Sequence, residues 1–276
     1  MRTALESNSY GKSSVRLSKV VRGAARHELI ELTVDISLEG DFAASYEGGD
    51  NRNVVATDSM KNTVYVLAAE NRFTCGEEFA PLLGRHFVQT YPQVKRAAVR
   101  VEQDVWERID RITFVGAGAE RRVCNVSCEK GQCDLTAGIA GLKVLKTTDS
   151  EFKDFVTDRY RTLKDTGDRI LASMVDATWS YGAVTVDGDA AYAAIRAAML
   201  KAFAGHHSLS VQQTLLEMGK AALSACPQMT WIDIAMPNQH RIPFDLRPFG
   251  LENKNEIFVT TSEPYGLIRG RVRRDS

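Results

Sequence analysis

Three cysteines lie close together in the sequence, at Cys124, Cys128 and Cys133, in the run CNVSCEKGQC. Three thiols within this short run could ligate zinc if a fourth ligand came from elsewhere in the chain. However, the intervening spacings of three and four residues differ from the two-residue spacing of a zinc knuckle, and no histidine follows nearby. With Cys75 and Cys226 isolated, five cysteines also make a poor disulfide framework. We interpret the cluster as a loop or hairpin with incidental thiols, and keep a zinc site as the less favoured alternative.

Two other short runs could also carry chemistry. His206 and His207 are adjacent in the run GHHS, where their side chains would point apart on a helix, so the pair suits a helix end better than a metal site. Gly116-Ala117-Gly118 lacks the third, spaced glycine and the following helix of a dinucleotide-binding loop. The catalytic or binding residues must therefore be scattered along the chain.

The elements that would position such residues follow one pattern twice. In each half, long runs alternate apolar and polar residues, as antiparallel strands do, and enclose two runs with helical spacing. Thr57 stands at a predicted helix start, and Ser210 is a predicted N-cap. The first half has predicted strands over 10–21 and 28–38, helices over 57–70 and 77–91, and strands over 97–109 and from 111 into the cysteine cluster. The second half has predicted strands over 137–147 and 169–181, helices over 189–205 and 210–224, and strands over 231–236 and 256–261.

This order predicts two tandem strand-strand-helix-helix-strand-strand modules, residues 1–135 and 136–276, in the α+β class. Thirty-five Lys and Arg residues balance 35 Asp and Glu residues, which argues against a nucleic-acid-binding protein. No run approaches the roughly 20 apolar residues that a membrane span needs, and the first residues do not resemble a signal peptide. We therefore expect a cytoplasmic protein.

Seven short runs resemble urate oxidase (uricase) when taken together. One tetrapeptide would be weak evidence, but all seven occur in the family's order between Tyr10 and His240. They are Tyr10-Gly11-Lys12, the run VVATDSMKNT over 54–63, LKVLKTT over 142–148 with Phe152 after it, DRIL over 168–171, VDATW over 175–179, SVQQT over 210–214 and PNQH over 237–240.

The resemblance implies the tunnelling fold, or T-fold, in which two tandem ββααββ modules form a β-barrel tunnel on oligomerisation. In this family two subunits close a barrel of antiparallel strands, and two barrels stack into a homotetramer with active sites at subunit interfaces. Barrel closure would remove the unpaired strand edges that otherwise invite aggregation. The resemblance also implies a reaction that uses no metal and no other cofactor.

The substrate that the resemblance implies is urate, a flat purine anion. Arg169 and Gln212 match the pair that grips its two amide-like edges, because a guanidinium fork and an amide have complementary donors and acceptors. Val211 would contribute its backbone, and Phe152 would stack on the purine face. Asp58 would complete the contacts to the urate edge.

The implied reaction converts urate, O2 and water into 5-hydroxyisourate and hydrogen peroxide. Lys12, Thr57 and His240 match the family's proton-relay residues, in which a lysine amine can take the proton of a threonine hydroxyl. Asn238, with Thr57, would frame the position of O2 and water above the ring. Lys12 and Thr57 would come from one subunit, and the neighbouring subunit would supply Phe152, Arg169, Gln212, Asn238 and His240.

Two alternatives remain open. A T-fold enzyme that acts on a pterin binds a similar planar edge, but anchors it with a glutamate, and cyclohydrolases of that type also use zinc. A non-catalytic purine-binding T-fold tetramer would keep the pocket without the reaction. The Arg169 and Gln212 pair favours urate over a pterin, and the presence of Lys12, Thr57 and His240 together favours an enzyme.

Overall fold

The computed structural model describes residues 3–182 and 186–275. The chain divides into two compact units, one formed by residues 3–138 with 186–189 and the other by 139–182 with 190–275. Within the described ranges, no helix is long and apolar enough to cross a membrane.

The first unit packs helices against an antiparallel sheet. Alternate residues of its second strand are buried against the helices, which confirms the period-two prediction. The four strands lie side by side in chain order. The elements are β1 (Tyr10–Arg22), β2 (His27–Gly40), α1 (Ala43–Gly48), α2 (Thr57–Glu70), α3 (Gly76–Thr90), β3 (Val94–Arg108) and β4 (Phe114–Glu129).

The second unit repeats the order with a longer connection near its end. The strands Leu171–Tyr181 and Gly266–Arg273 both pair with the strand Met229–Asn238. The elements are β5 (Gln132–Lys146), which begins in the first unit, β6 (Leu171–Tyr181), α4 (Gly188–Gly205), which also begins in the first unit, α5 (Val211–Ala225), β7 (Met229–Asn238), β8 (Arg241–Pro243), β9 (Phe258–Thr260) and β10 (Gly266–Arg273).

The strand predicted over 256–261 is present but shorter, as β9, and it does not close the large sheet. Strand β9 forms a separate two-stranded sheet with β8, and the strand that pairs with β7 is β10. Arginines and glycines obscure the alternation of β10. The reason for Gly270 is packing, because a Cβ there would lie 2.9 Å from the Leu215 side chain of α5. The close approach of α5 to β10 also depends on Gly219 of α5, since a Cβ added there would lie 2.5 Å from the Val272 side chain of β10.

The cysteine cluster lies in a hairpin between β4 and β5, as predicted, but two of its thiols are bridged. Cys128 and Cys133 form a disulfide with their Cα atoms 4.1 Å apart, so these two are not incidental thiols. They flank a two-residue turn, Lys130-Gly131, so the hairpin places them opposite each other. Cys124 is a buried free thiol, and the described residues contain no group of three metal-ligating side chains.

A buried ion pair stabilises the first unit. Arg122 Nε donates to Glu77 Oε1 over 2.8 Å, and only 6% of either side chain is exposed. Arg122 also lies 2.5 Å from the carboxylate of Asp189 at the start of α4. Burial raises the pKa of Glu77, and the charge of Arg122 acts against that rise. The close pair indicates an ionised Glu77 that Arg122 stabilises.

Glu77→Gln should lower the free energy of unfolding by about 1–2 kcal/mol, because a charged hydrogen bond becomes a neutral one inside the protein. Urea denaturation at neutral pH and fixed protein concentration measures this change. Asp104→Asn is the control, since Asp104 pairs with Arg121 over 2.7 Å at a more exposed position and should cost only a few tenths of a kcal/mol. No change in Glu77→Gln would mean that Glu77 is already protonated.

Candidate functional site

A cleft of about 320 Å³ in the second unit brings four predicted site residues together. They are Phe152, Arg169, Asn238 and His240. Asn238 is the last residue of β7, and His240 follows two residues later. Arg169 lies just before β6, so strand ends and the loops beside them position the cleft.

The loop that carries Phe152 is held by backbone hydrogen bonds. Phe152 and Thr166 exchange two of them, at 2.9 and 3.0 Å. Arg169 N donates to Ser150 O over 2.7 Å, and Thr148 Oγ1 donates to the Asp168 carboxylate over 2.7 Å. These contacts fix the start of the loop next to its end, so that Phe152 and Arg169 face the same cleft.

Arg169 has hydrogen-bonding capacity left for a ligand. Its Nε is buried and has no hydrogen-bond partner among the described residues. Its guanidinium carbon lies over the Phe152 ring, 5.1 Å from the centroid, and burial lowers the pKa of Arg169. A buried donor without a partner costs free energy, which a planar acceptor in the cleft would recover.

The Phe152 ring is oriented by a stack that the sequence did not predict. Phe155 stacks on it with centroids 4.7 Å apart and the planes 11° from parallel. The Arg161 guanidinium lies over the Phe155 ring at 4.0 Å and is itself held by Asp165 at 2.5 Å. Phe155 and Arg161 therefore support the aromatic wall of the cleft.

Val211 and Gln212 begin α5 and are not among the residues that line the cleft. Ser210 caps this helix, because its hydroxyl accepts a hydrogen bond from Gln213 N over 3.1 Å, as predicted. Val211 is buried, whereas Gln212 is exposed. The first amides of a helix have no partner within the helix, so this end can donate backbone hydrogen bonds.

Lys12, Thr57 and Asp58 belong to the first unit. Thr57 is the first residue of α2, whose N-cap is Ala56, so Thr57 is not itself the cap. The bond from Lys61, at 2.5 Å, is the main cause of the lowered pKa of Asp58, and the charge of Lys12 contributes. The positive charge of Lys12 is the smallest of these effects on Asp58, at the start of α2.

Two features of β1 determine the backbone path on either side of Lys12. A Cβ at Gly11 would lie 1.7 Å from Ile36 O, so only glycine allows the two strands to approach here. The register then shifts between Lys12 and Val15, where Ser14 has a left-handed φ of 58°. A register shift of this kind is a β-bulge or irregularity in the strand. Bulges change the direction of neighbouring side chains and are common next to active sites.

Tyr10 is a residue of this region whose role the sequence did not predict. Its hydroxyl accepts a hydrogen bond from Val55 N over 2.7 Å and thereby ties the start of β1 to the segment before α2. Tyr10 belongs to one of the seven runs that resemble the family, but only the structure shows its contact with Val55.

Comparison with known proteins decides the family. The sequence model of the family described as Uricase matches residues 8–127 and 135–269. The uricase of Arthrobacter globiformis is 44% identical over 276 residues, which cover 99% of this chain and 91% of that protein. The chain belongs to the uricase family. The uricase of Aspergillus flavus is 37% identical, with 99% of this chain and 98% of that protein covered.

Solved uricase structures have the same fold. The crystal structure of the Arthrobacter globiformis uricase superposes with a TM-score of 0.95 and covers 100% of this chain and 96% of that one. A urate oxidase from Bacillus sp. TB-90 matches with a TM-score of 0.85 at 21% identity, covering 97% of this chain and 100% of that one. The fold is therefore the uricase T-fold, and the expectation of an α+β T-fold is confirmed.

Proposed function

We propose that this protein oxidises urate with O2 and water to 5-hydroxyisourate and hydrogen peroxide. The observation that carries the proposal is the cleft in which Arg169, with a buried donor left unpaired, lies over the ring of Phe152. A flat anion with acceptors on its edge would satisfy both groups. Membership of the uricase family supports urate as that anion.

Urate would be gripped at its edges and on one face. The Arg169 guanidinium donates to a carbonyl oxygen and a deprotonated ring nitrogen, which two parallel donors match. Gln212 meets the opposite edge with its amide, and Val211 donates its backbone N–H. Phe152 stacks on the purine, and Asp58 of the neighbouring subunit contacts the urate edge.

The reaction requires that urate become electron-rich. Lys12 would take the proton of Thr57, and Thr57 in turn would take a proton from urate, so that the dianion can pass two electrons to O2. Asn238 and Thr57 hold O2 over the ring. His240 then positions a water that adds to the oxidised ring as hydroxide. The proton released by this water and the proton taken up by Lys12 go to the reduced O2, which leaves as hydrogen peroxide.

We further propose that the active protein is a homotetramer whose sites lie between subunits. Among the described strand pairs, β1 pairs only with β2, and β10 pairs only with β7. Each thus leaves one edge unpaired, over 13 residues in β1 and eight in β10. Pairing with a second copy would cover these edges and would bring Lys12 and Thr57 of one chain to the cleft of another.

The test follows urate absorbance with chelator-treated protein under air. We expect urate to disappear while O2 uptake and peroxide formation match it in equal amounts. Urate binding without turnover would favour the non-catalytic purine-binding alternative and contradict the proposal. Turnover of a pterin in place of urate would favour the pterin alternative, although the described residues that line the cleft include no glutamate.

A further inference from the structure

Two segments of the second unit are joined beside the cleft. The segment 149–152 ends in Phe152, and the loop 206–210 leads into Val211 and Gln212. Ser208 N donates to Asp149 O over 3.0 Å, and Glu151 N donates to Ser208 O over 2.8 Å. The proposed stacking residue and the proposed edge-binding residues are thus connected through one short contact.

His207 spans this contact with its side chain. Its Nδ1 lies 2.5 Å from an oxygen of Asp149, and its Nε2 lies 3.5 Å from an oxygen of Glu151. Both carboxylates belong to the segment that carries Phe152, whereas His207 belongs to the loop before α5. The Glu151 side chain is only 10% exposed, and that of His207 is 45% exposed.

The backbone conformation at Asp149 links its contact with His207 to the position of Phe152. Asp149 has a φ of 63°, in the left-handed region that residues with side chains seldom adopt unless their surroundings hold them there. This turn leads the chain out of β5 and towards Phe152. The groups that hold Asp149 therefore influence where the Phe152 ring lies.

We propose that His207 is a positioning residue for urate, which sets the spacing between Phe152 and the first turn of α5 by binding Asp149 and Glu151. This inference rests on the proposed function. A planar ligand held between a ring and the first turn of a helix needs both at a defined distance, and a misplacement of about 1 Å weakens binding markedly.

The charge of His207 strengthens the contact. The bond to Asp149, and then the contact with Glu151, raises the pKa of His207 above its ordinary value. Around them, Lys146 of β5 lies 3.7 Å from Asp149, and Lys153 lies 3.0 Å from Glu151. Among the described residues, the ion pairs thus bring two carboxylates and two lysines close to His207.

The sign of the pH effect follows from the raised pKa. Below that pKa His207 is charged and attracts both carboxylates, whereas above it the neutral ring keeps at most one good hydrogen bond. The grip on urate should therefore be present at lower pH and weaken as the pH rises through the pKa of His207.

The experiment compares His207→Ala and His207→Asn with wild type between about pH 6 and pH 9, the range in which a histidine changes charge. In the wild type, KM for urate should rise with pH. In His207→Ala, KM should be about 3–10-fold higher at the low-pH end, with kcat within about twofold, since a residue that only positions the substrate changes its binding. Anaerobic equilibrium dialysis of urate should show the same loss.

His207→Asn is the rescue variant, because an asparagine amide can donate to Asp149 from the place of Nδ1. It should recover most of the affinity but show no rise of KM with pH. Lys220→Ala is the matched control: Lys220 pairs with Glu217 over 2.9 Å at a similarly exposed position on α5, and its loss should leave KM unchanged. If His207→Ala does not fold, as judged by circular dichroism, the pH profile of His207→Asn decides.

An active wild type with unchanged KM and pH profile in the folded His207 variants would overturn the inference. So would a fall in kcat at constant KM. A wild type that consumes no urate would instead contradict the proposed function, so the two failures are distinguishable.

Discussion

Lys12→Met should lower kcat for urate by about 10²–10⁴-fold, the usual contribution of a general base, while urate binding stays near that of wild type. In our proposal Arg169, Gln212 and Phe152 bind the substrate, and Lys12 acts only as charge develops in the transition state. A loss that appears in kcat with little change in affinity is the signature of such a residue. Steady-state kinetics and anaerobic urate binding measure the two parts.

The pH profile provides the second readout for Lys12. If Lys12 is the base of the relay, the dependence of kcat on pH in Lys12→Met should differ from that of the wild type. Lys95→Met is the control, since it removes an exposed lysine from strand β3 of the same unit and should change nothing. Near-normal turnover of Lys12→Met with the wild-type pH profile would show that Lys12 is a surface lysine outside the relay.

Arg169→Lys should raise KM for urate by about 10–100-fold, although the charge is conserved. An ammonium group cannot make two parallel hydrogen bonds, and each lost charged bond is worth about 1.5–3 kcal/mol. The buried Nε that has no partner among the described residues marks the donor that urate would use. Initial rates over a range of urate concentrations, with dialysis under anaerobic conditions, provide the measurement.

The same exchange at a second arginine controls for this effect. Arg271 makes two hydrogen bonds to Asp233, at 2.7 and 2.5 Å, and does not line the cleft of Phe152 and Arg169. Arg271→Lys should leave KM unchanged. If Arg169→Lys also left KM unchanged, Arg169 would be a structural residue and the proposed urate grip would be wrong.

Periodicity predicted most of the fold because its strands are long and half-buried. In β2, alternate residues face the core over the whole strand, so the pattern is unambiguous. The pattern failed at β10, whose close contact with α5 depends on Gly270 and Gly219. Glycine has no side chain to show a period, so the reason for its presence lies in the partner element and cannot be seen in local sequence.

The disulfide shows a second limit of local reasoning. The sequence spacings typical of zinc sites and of multi-disulfide frameworks do not describe Cys128 and Cys133, which form a single bridge. The informative feature was the Lys130-Gly131 turn, which places the two cysteines opposite each other in a hairpin.

The site residues came from the resemblance to a family, and the structure gives their local setting. Phe152, Arg169, Asn238 and His240 line one cleft, which short motifs spread over almost 90 positions could not indicate by themselves. The stack of Phe155 on Phe152 and the bridge from His207 to Asp149 are contacts between loops. Such contacts depend on tertiary structure and leave no periodic signal in the sequence.

The central claim is that each urate site combines Lys12 and Thr57 of one chain with Arg169 and Phe152 of another. Mixing unfolded Lys12→Met and Arg169→Ala chains in equal amounts and refolding them tests it most directly. A mixed pair of chains has one site with both changes and one site with neither, so random pairing should restore about a quarter of wild-type urate turnover. The refolded single variants give the lower limit of urate turnover, and the refolded wild type gives the upper limit. Activity no higher than that of the single variants, in mixtures shown to contain both chains in one oligomer, would contradict the account.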